Sequence, residues 1–172
     1  MMNEAQQHLL LNHLPVLGSL FCLLLLAYGL VRRSDEVQKV ALGALVLVAL
    51  LAIPTYLTGE PAEELVEHLP GVSESYIEAH ESMAKIALVA SLVLGVLALG
   101  GLIVSRGCAV PSAFAVLVLL GNLASFGLMA YTAHLGGQIR HTEIRAGSAP
   151  AGETGTGETP AGGEAGEHRE HD

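Results

Sequence analysis

Four stretches of the chain contain no Asp, Glu, Lys or Arg: Leu14 to Val31, Val40 to Leu57, Ile86 to Ser105 and Cys108 to Leu135. Each reaches or approaches the roughly 20 apolar residues that an α-helix needs to cross a hydrocarbon core. A buried soluble helix would be shorter and would carry a polar stripe. The pattern predicts an all-α chain: a four-helix transmembrane bundle, up and down, with spans at about 14–31, 40–57, 86–105 and 111–134. No Lys or Arg precedes Arg32, so the first run lacks the basic flank of a signal peptide and reads as a retained helix.

The polar connections are unequal. The second one, over residues 58–82, contains further elements. Gly59-Glu60-Pro61 followed by Ala62 to Leu69 predicts a short amphipathic helix, with Pro61 in its first turn and Pro70-Gly71 as its stop. Leu65, Val66 and Leu69 would form its apolar face. Ser75 and Glu78 have capping-box spacing and predict the start of the third long helix, which would project a turn or more above its apolar run. From about residue 146 the chain turns to Gly, Ala, Thr, Pro and Glu, a composition that cannot offset its ordering entropy. Residues 1–145 are expected to form the membrane domain and 146–172 a disordered acidic tail.

Composition sharpens this pattern. Only 15% of the 172 residues are charged, yet the formal charge is −9, so the charge must be segregated. Residues 58–82 hold seven Glu and no Lys or Arg, and the tail holds six acids and one Arg. Acidity without a basic patch argues against nucleic acid as a partner. Arg32, Arg33 and Lys39 lie in the first loop and Arg106 in the third. The positive-inside rule then puts those loops in the cytoplasm and both termini outside. Arg140 and Arg145 run against that assignment. Cys22 and Cys108 fall at different depths, too far apart for a disulfide.

The histidines carry the candidate chemistry. His13 opens the first helix, His80 leads into the third and His134 closes the fourth, all at the proposed outer boundary with His68. Helical bundles build cofactor sites from inward side chains. From His80 one face runs through Ala84, Ala87, Ser91, Gly95 and Ala98; from His134 a face runs back through Ala130, Gly127 and Leu123. Such stripes leave room for a flat cofactor, and equally for close helix packing. Haem b would take His80 with His13 or His134 as axial ligands. A Zn, Cu or Fe ion would draw on His13, His68, His80 and His134, with Glu64 one turn before His68. No hydrolase, transferase or nucleotide-binding motif occurs, and catalytic residues are not assigned.

His13-Leu14-Pro15-Val16, the Thr58-Gly59 turn, His80 and Leu135-Gly136-Gly137 together resemble a family of small bacterial four-helix membrane proteins. That family opens its first helix with His-Phe-Pro-Ile, and this chain has Leu14 in place of the Phe. The resemblance covers about residues 8–145 and matches His13 and His80. It implies a multi-pass protein of the bacterial inner membrane, with haem or redox as its candidate chemistry.

Three functions remain open on the sequence. One is a haem-binding electron-transfer or accessory subunit, whose acidic outer loop could steer a basic soluble electron carrier. The second is a metal-binding or sensing module. The third is a structural partner of other membrane subunits. All three have the lipid bilayer as a partner. Transport lacks support, because no ionisable Asp, Glu, Lys or Arg falls at mid-span.

Overall fold

The structure, a computed structural model, describes residues 3–145. The expected tail at 146–172 lies outside the described residues. Those described are helical, with no strand among them. The elements are α1 (Glu4–Leu11), α2 (His13–Val31), α3 (Asp35–Leu57), α4 (Gly59–Val66), α5 (Glu74–Val104) and α6 (Ser112–Arg140), followed by a 3-10 turn at Thr142–Ile144.

The four long helices, α2, α3, α5 and α6, are long and apolar enough to cross a membrane, which makes this a multi-pass membrane protein by length and composition. They pack in a ring: α2 on α3, α3 on α5, α5 on α6, and α6 back on α2. Each turns one narrow stripe inward. On α2 it is Pro15, Ser19, Cys22, Leu26 and Gly29, at helical spacing. On α5 it is Ala87, Ser91, Leu94, Gly95, Ala98 and Gly101, which includes most of the small-residue face read from His80. A Cβ at Gly95 would collide with that of Ala49, so α3 and α5 approach closely because this position has none. Large apolar side chains such as Phe21, Leu24, Leu47, Val96 and Leu117 point outward and are exposed. An outward apolar surface fits hydrocarbon surroundings.

The stripe on α6 is not the one read from His134. The inward positions are Ala115, Val118, Asn122, Ser125 and Met129. Leu123 and Gly127 are exposed and Ala130 is only partly covered. A helix apolar on every side gives no polar face from which to fix its rotation.

The connections decide which ends meet. At one end α2 closes in a Schellman turn: Ser34 N–H donates to Gly29 O at 2.9 Å and Arg33 N–H to Leu30 O at 3.1 Å. Arg33 therefore takes φ 52°, where glycine is the usual occupant. Ser34 caps α3, accepting from Val37 N–H. Asp35 then accepts from Val110 N–H at 2.6 Å, and Lys39 both pairs with Asp35 at 2.6 Å and donates to Cys108 O at 2.9 Å. The first and third loops are thus joined to each other. Both cysteines are free, Cys22 buried and Cys108 exposed.

At the other end, two elements differ from expectation. Helix α5 starts at Glu74 behind Ser73, earlier than the Ser75–Glu78 box implied, and Ser73 Oγ lies 3.0 Å from Ser75 Oγ instead of capping the helix. From Glu74 to Ile86 the helix extends about 18 Å at 1.5 Å per residue before its apolar run begins. Helix α4 ends at Val66, with Leu65 and Leu69 exposed; its buried side chain is Ala62. It packs instead against α1, an element not expected from the sequence. Asn3 and Gln6 form a capping box that starts α1: Gln6 N–H donates to Asn3 at 2.8 Å and Asn3 N–H to Gln6 at 3.1 Å.

Candidate functional site

The polar end that carries α1 and α4 also carries the histidines, and their environments differ. His80 on α5 is partly buried, and its Nδ1 lies 2.9 Å from the backbone carbonyl of Thr132 on α6. A carbonyl only accepts, so Nδ1 carries the proton and the neutral ring has its lone pair on Nε2. Gly136, one turn further along α6, forms the wall beside the ring. A Cβ there would lie 3.0 Å from Cε1 and 3.1 Å from Nδ1 of His80. Glycine at 136 is what lets the imidazole lie against the α6 backbone.

The second imidazole at this site is His8 of α1. Its Nδ1 lies 3.2 Å from the Thr58 hydroxyl at the end of α3. Thr58 has a single hydroxyl proton, directed at the carbonyls of Thr55 and Pro54, 2.9 and 3.0 Å away. The hydroxyl oxygen then accepts from His8 Nδ1–H, and the Thr55 backbone offers the His8 ring a second acceptor. The centroids of the His8 and His80 rings stand 6.5 Å apart with their planes perpendicular. Thr55 adds a link between α1 and α3, its hydroxyl lying 3.3 Å from Leu11 O.

The other histidines read from the sequence lie apart from this pair. His13 is exposed, with Nδ1 2.8 Å from Leu9 O on the preceding turn. His134 is exposed on α6, 3.3 Å from its own-helix neighbour Gln138. His68 has 87% of its side chain exposed and pairs with the adjacent Glu67 at 3.2 Å. Glu64 is exposed on α4. Among the described residues, no three His, Cys, Asp or Glu side chains converge as a polydentate metal site requires.

His8 was not among the sequence candidates. It lies in a stretch too short and too polar to extend the first apolar run, and the signal that could have found it is the Asn3-x-x-Gln6 capping box. That box turns residues 4–11 into a helix and makes His8 part of a folded element. Thr58 was read only as part of the Thr58-Gly59 turn, and Thr132 not at all, because it acts through a backbone carbonyl that any residue supplies.

The donor set fits an iron or other transition-metal centre, since two neutral imidazoles with committed Nδ1 atoms are the usual form of a ligating pair. The space around His80 is that of an imidazole: the Gly136 backbone lies in contact with the ring, where a porphyrin edge would need a slot. Open, mostly apolar grooves occur elsewhere, along Lys85, Ile86, Val89 and Ala90, and between Val96, Leu97 and Phe114.

Compared with models of protein families, with curated proteins and with solved structures, the chain matches none.

Proposed function

We propose that this chain is a small inner-membrane subunit that holds a transition-metal centre by imidazole at the extracytoplasmic end of an up-and-down four-helix bundle. Its role would be that of an electron-transfer or accessory component. One observation carries the reading: His80 has its tautomer fixed by Thr132 O and its ring seated on Gly136, so a lone pair is held in a constant place. Second-shell acceptors of this kind orient metal-binding histidines and raise their basicity. The membrane assignment rests on the four apolar helices, and the up-and-down order on the short first and third connections and on the packing of each long helix against the next. The resemblance of residues 8–145 to small bacterial membrane proteins points the same way.

The centre is a metal that accepts neutral imidazole, and the contact of the His80 ring with the Gly136 backbone favours a single ion over haem. The test is a reduced-minus-oxidised spectrum together with elemental analysis of the full chain purified in detergent. A stoichiometric metal without a haem band is expected, and it should be lost in His80→Gln. Folded protein with neither metal nor haem, even after supply of haem and metal salts, overturns the reading.

A further inference from the structure

We propose that His8 and His80 together form a two-coordinate site for a single cuprous ion, with α1 supplying one ligand and α5 the other. This rests on the reading of His80 as a metal-holding residue and adds the partner and the class of ion.

Spacing is the first argument. Two metal–imidazole bonds of about 2.0–2.1 Å, plus roughly 1.1 Å from each ring nitrogen to its centroid, give a centroid separation of about 6.3 Å when the two nitrogens face across a metal. The two rings stand 6.5 Å apart. Perpendicular aromatic rings in plain edge contact also stand about 4.5–7 Å apart, so the spacing admits a bridging ion and the anchoring must select it.

Anchoring is the second argument. Each ring donates Nδ1–H to an oxygen of a third helix, His8 to Thr58 on the end of α3 and His80 to Thr132 on α6. His80 keeps its Nε2 lone pair uncommitted by that arrangement, and His8 does so where its proton sits on Nδ1. The rings are also flanked by glycine. Gly136 adjoins His80, and at Gly59 a Cβ would lie 3.7 Å from His8 Cε1. Elements α1, α3, α4, α5 and α6 thus hold the two imidazoles at this spacing.

The number of ligands selects the ion. Zinc prefers four protein or water ligands in tetrahedral array. No third His, Cys, Asp or Glu joins this pair among the described residues. A monovalent ion with a filled d shell is satisfied by two nitrogens in line, and copper in that state is the first-row ion that meets the description. Binding uses lone pairs already free, so no proton has to leave and no electron is transferred in the step proposed.

The experiment is anaerobic titration of the full-length chain in detergent with Cu(I), kept reduced by ascorbate and competed with a chromogenic cuprous chelator. One ion per chain is expected, with affinity lowered at least tenfold in His8→Gln and in His80→Gln and unchanged in His141→Gln. X-ray absorption of the wild-type complex should show two nitrogen neighbours, a reading that does not depend on any variant folding. Four neighbours, or an affinity within twofold of wild type in His8→Gln, overturns the pair. Loss in His13→Gln or His134→Gln in place of His8→Gln overturns it as well. If His80→Gln alone releases the metal, or if the chain takes haem and not Cu(I), the pair falls while the broader function stands. If nothing binds to folded protein, both fall.

Discussion

Asn122 is the most deeply buried polar side chain of the long helices, with no exposed surface, and it is satisfied by one partner. Ser19 Oγ donates to Asn122 Oδ1 at 2.7 Å, and Asn122 Nδ2 donates back to Ser19 O at 3.1 Å. The pair joins α2 to α6 at a depth where water is not available to replace a lost bond. Ser19→Ala would leave Asn122 Oδ1 without its donor, and the expected loss is about 1–2 kcal/mol of stability. Asn122→Ala should cost a similar amount, and the double variant less than the sum, because the two changes remove one interaction. Reversible unfolding in mixed detergent micelles measures all three. Additive losses would show that the two residues act separately. Neither residue stood out in the sequence, since a single Ser or Asn does not interrupt an apolar run.

Between elements, the sequence showed where helices run better than how they are turned. The charge-free stretches marked α2, α3, α5 and α6 because lipid and protein core both demand apolar side chains. That same uniformity hid which face points inward. On α5 the Ala-Ser-Gly stripe gave the rotation correctly, since small residues collect where backbones approach. On α6 the same reasoning, started from His134, chose an exposed face, and the inward side is marked instead by Asn122 and Ser125. Contacts between a helix end and a distant loop were likewise out of reach. Arg145 is the main example. It donates through Nε to Gln138 O at 2.8 Å and through Nη2 to Ile139 O and Gly71 O at 3.0 and 2.9 Å, while its guanidinium lies 4.5 Å above the Tyr76 ring. One side chain thus caps the last turn of α6 and ties it to the loop before α5, where Gly71 takes φ 82°. Arg145→Ala should release about 1–2 kcal/mol of local stability, read as roughly tenfold faster cleavage after Glu67 by a Glu-specific protease. Arg145→Lys keeps the charge without the planar fork, so it should lie nearer to Ala than to wild type. Protection equal to wild type in Arg145→Ala would show that the loop is held by other contacts.

Across the whole molecule, Arg32, Arg33, Lys39 and Arg106 lie at one end of the bundle and the histidine pair at the other, where Lys85, Arg140 and Arg145 also lie. Lys39 and Asp35 bind Cys108 O and Val110 N–H, so the loops that hold Arg32, Arg33 and Arg106 adjoin each other. His80 meets Thr132 and Gly136 at the far end of the same helices. If Lys and Arg set the orientation, the loop end is cytoplasmic and the histidine end faces out. Arg140 and Arg145 run against that inference in the sequence. The fork of Arg145 is committed to backbone carbonyls at the end of α6, a structural demand that explains that arginine independently of topology, and Arg140 has no such account. Glu143 fits the same corner: hydrogen bonds from its own backbone N–H and from His141, 2.8 Å away, hold its carboxyl below the usual range and keep it ionised. The native cysteines make the orientation measurable without engineering, because Cys108 is exposed in the third loop and Cys22 is buried. A membrane-impermeant maleimide should leave Cys108 unlabelled in intact cells and label it in inverted vesicles. In a Glu67→Cys variant the new thiol should behave the opposite way, since position 67 is exposed at the histidine end. Labelling of Cys108 from outside would reverse the orientation and put the His8–His80 pair in the cytoplasm, where thiol-rich buffers compete for cuprous ion. The side on which Cys108 reacts therefore bears on the chemistry as well as on the topology.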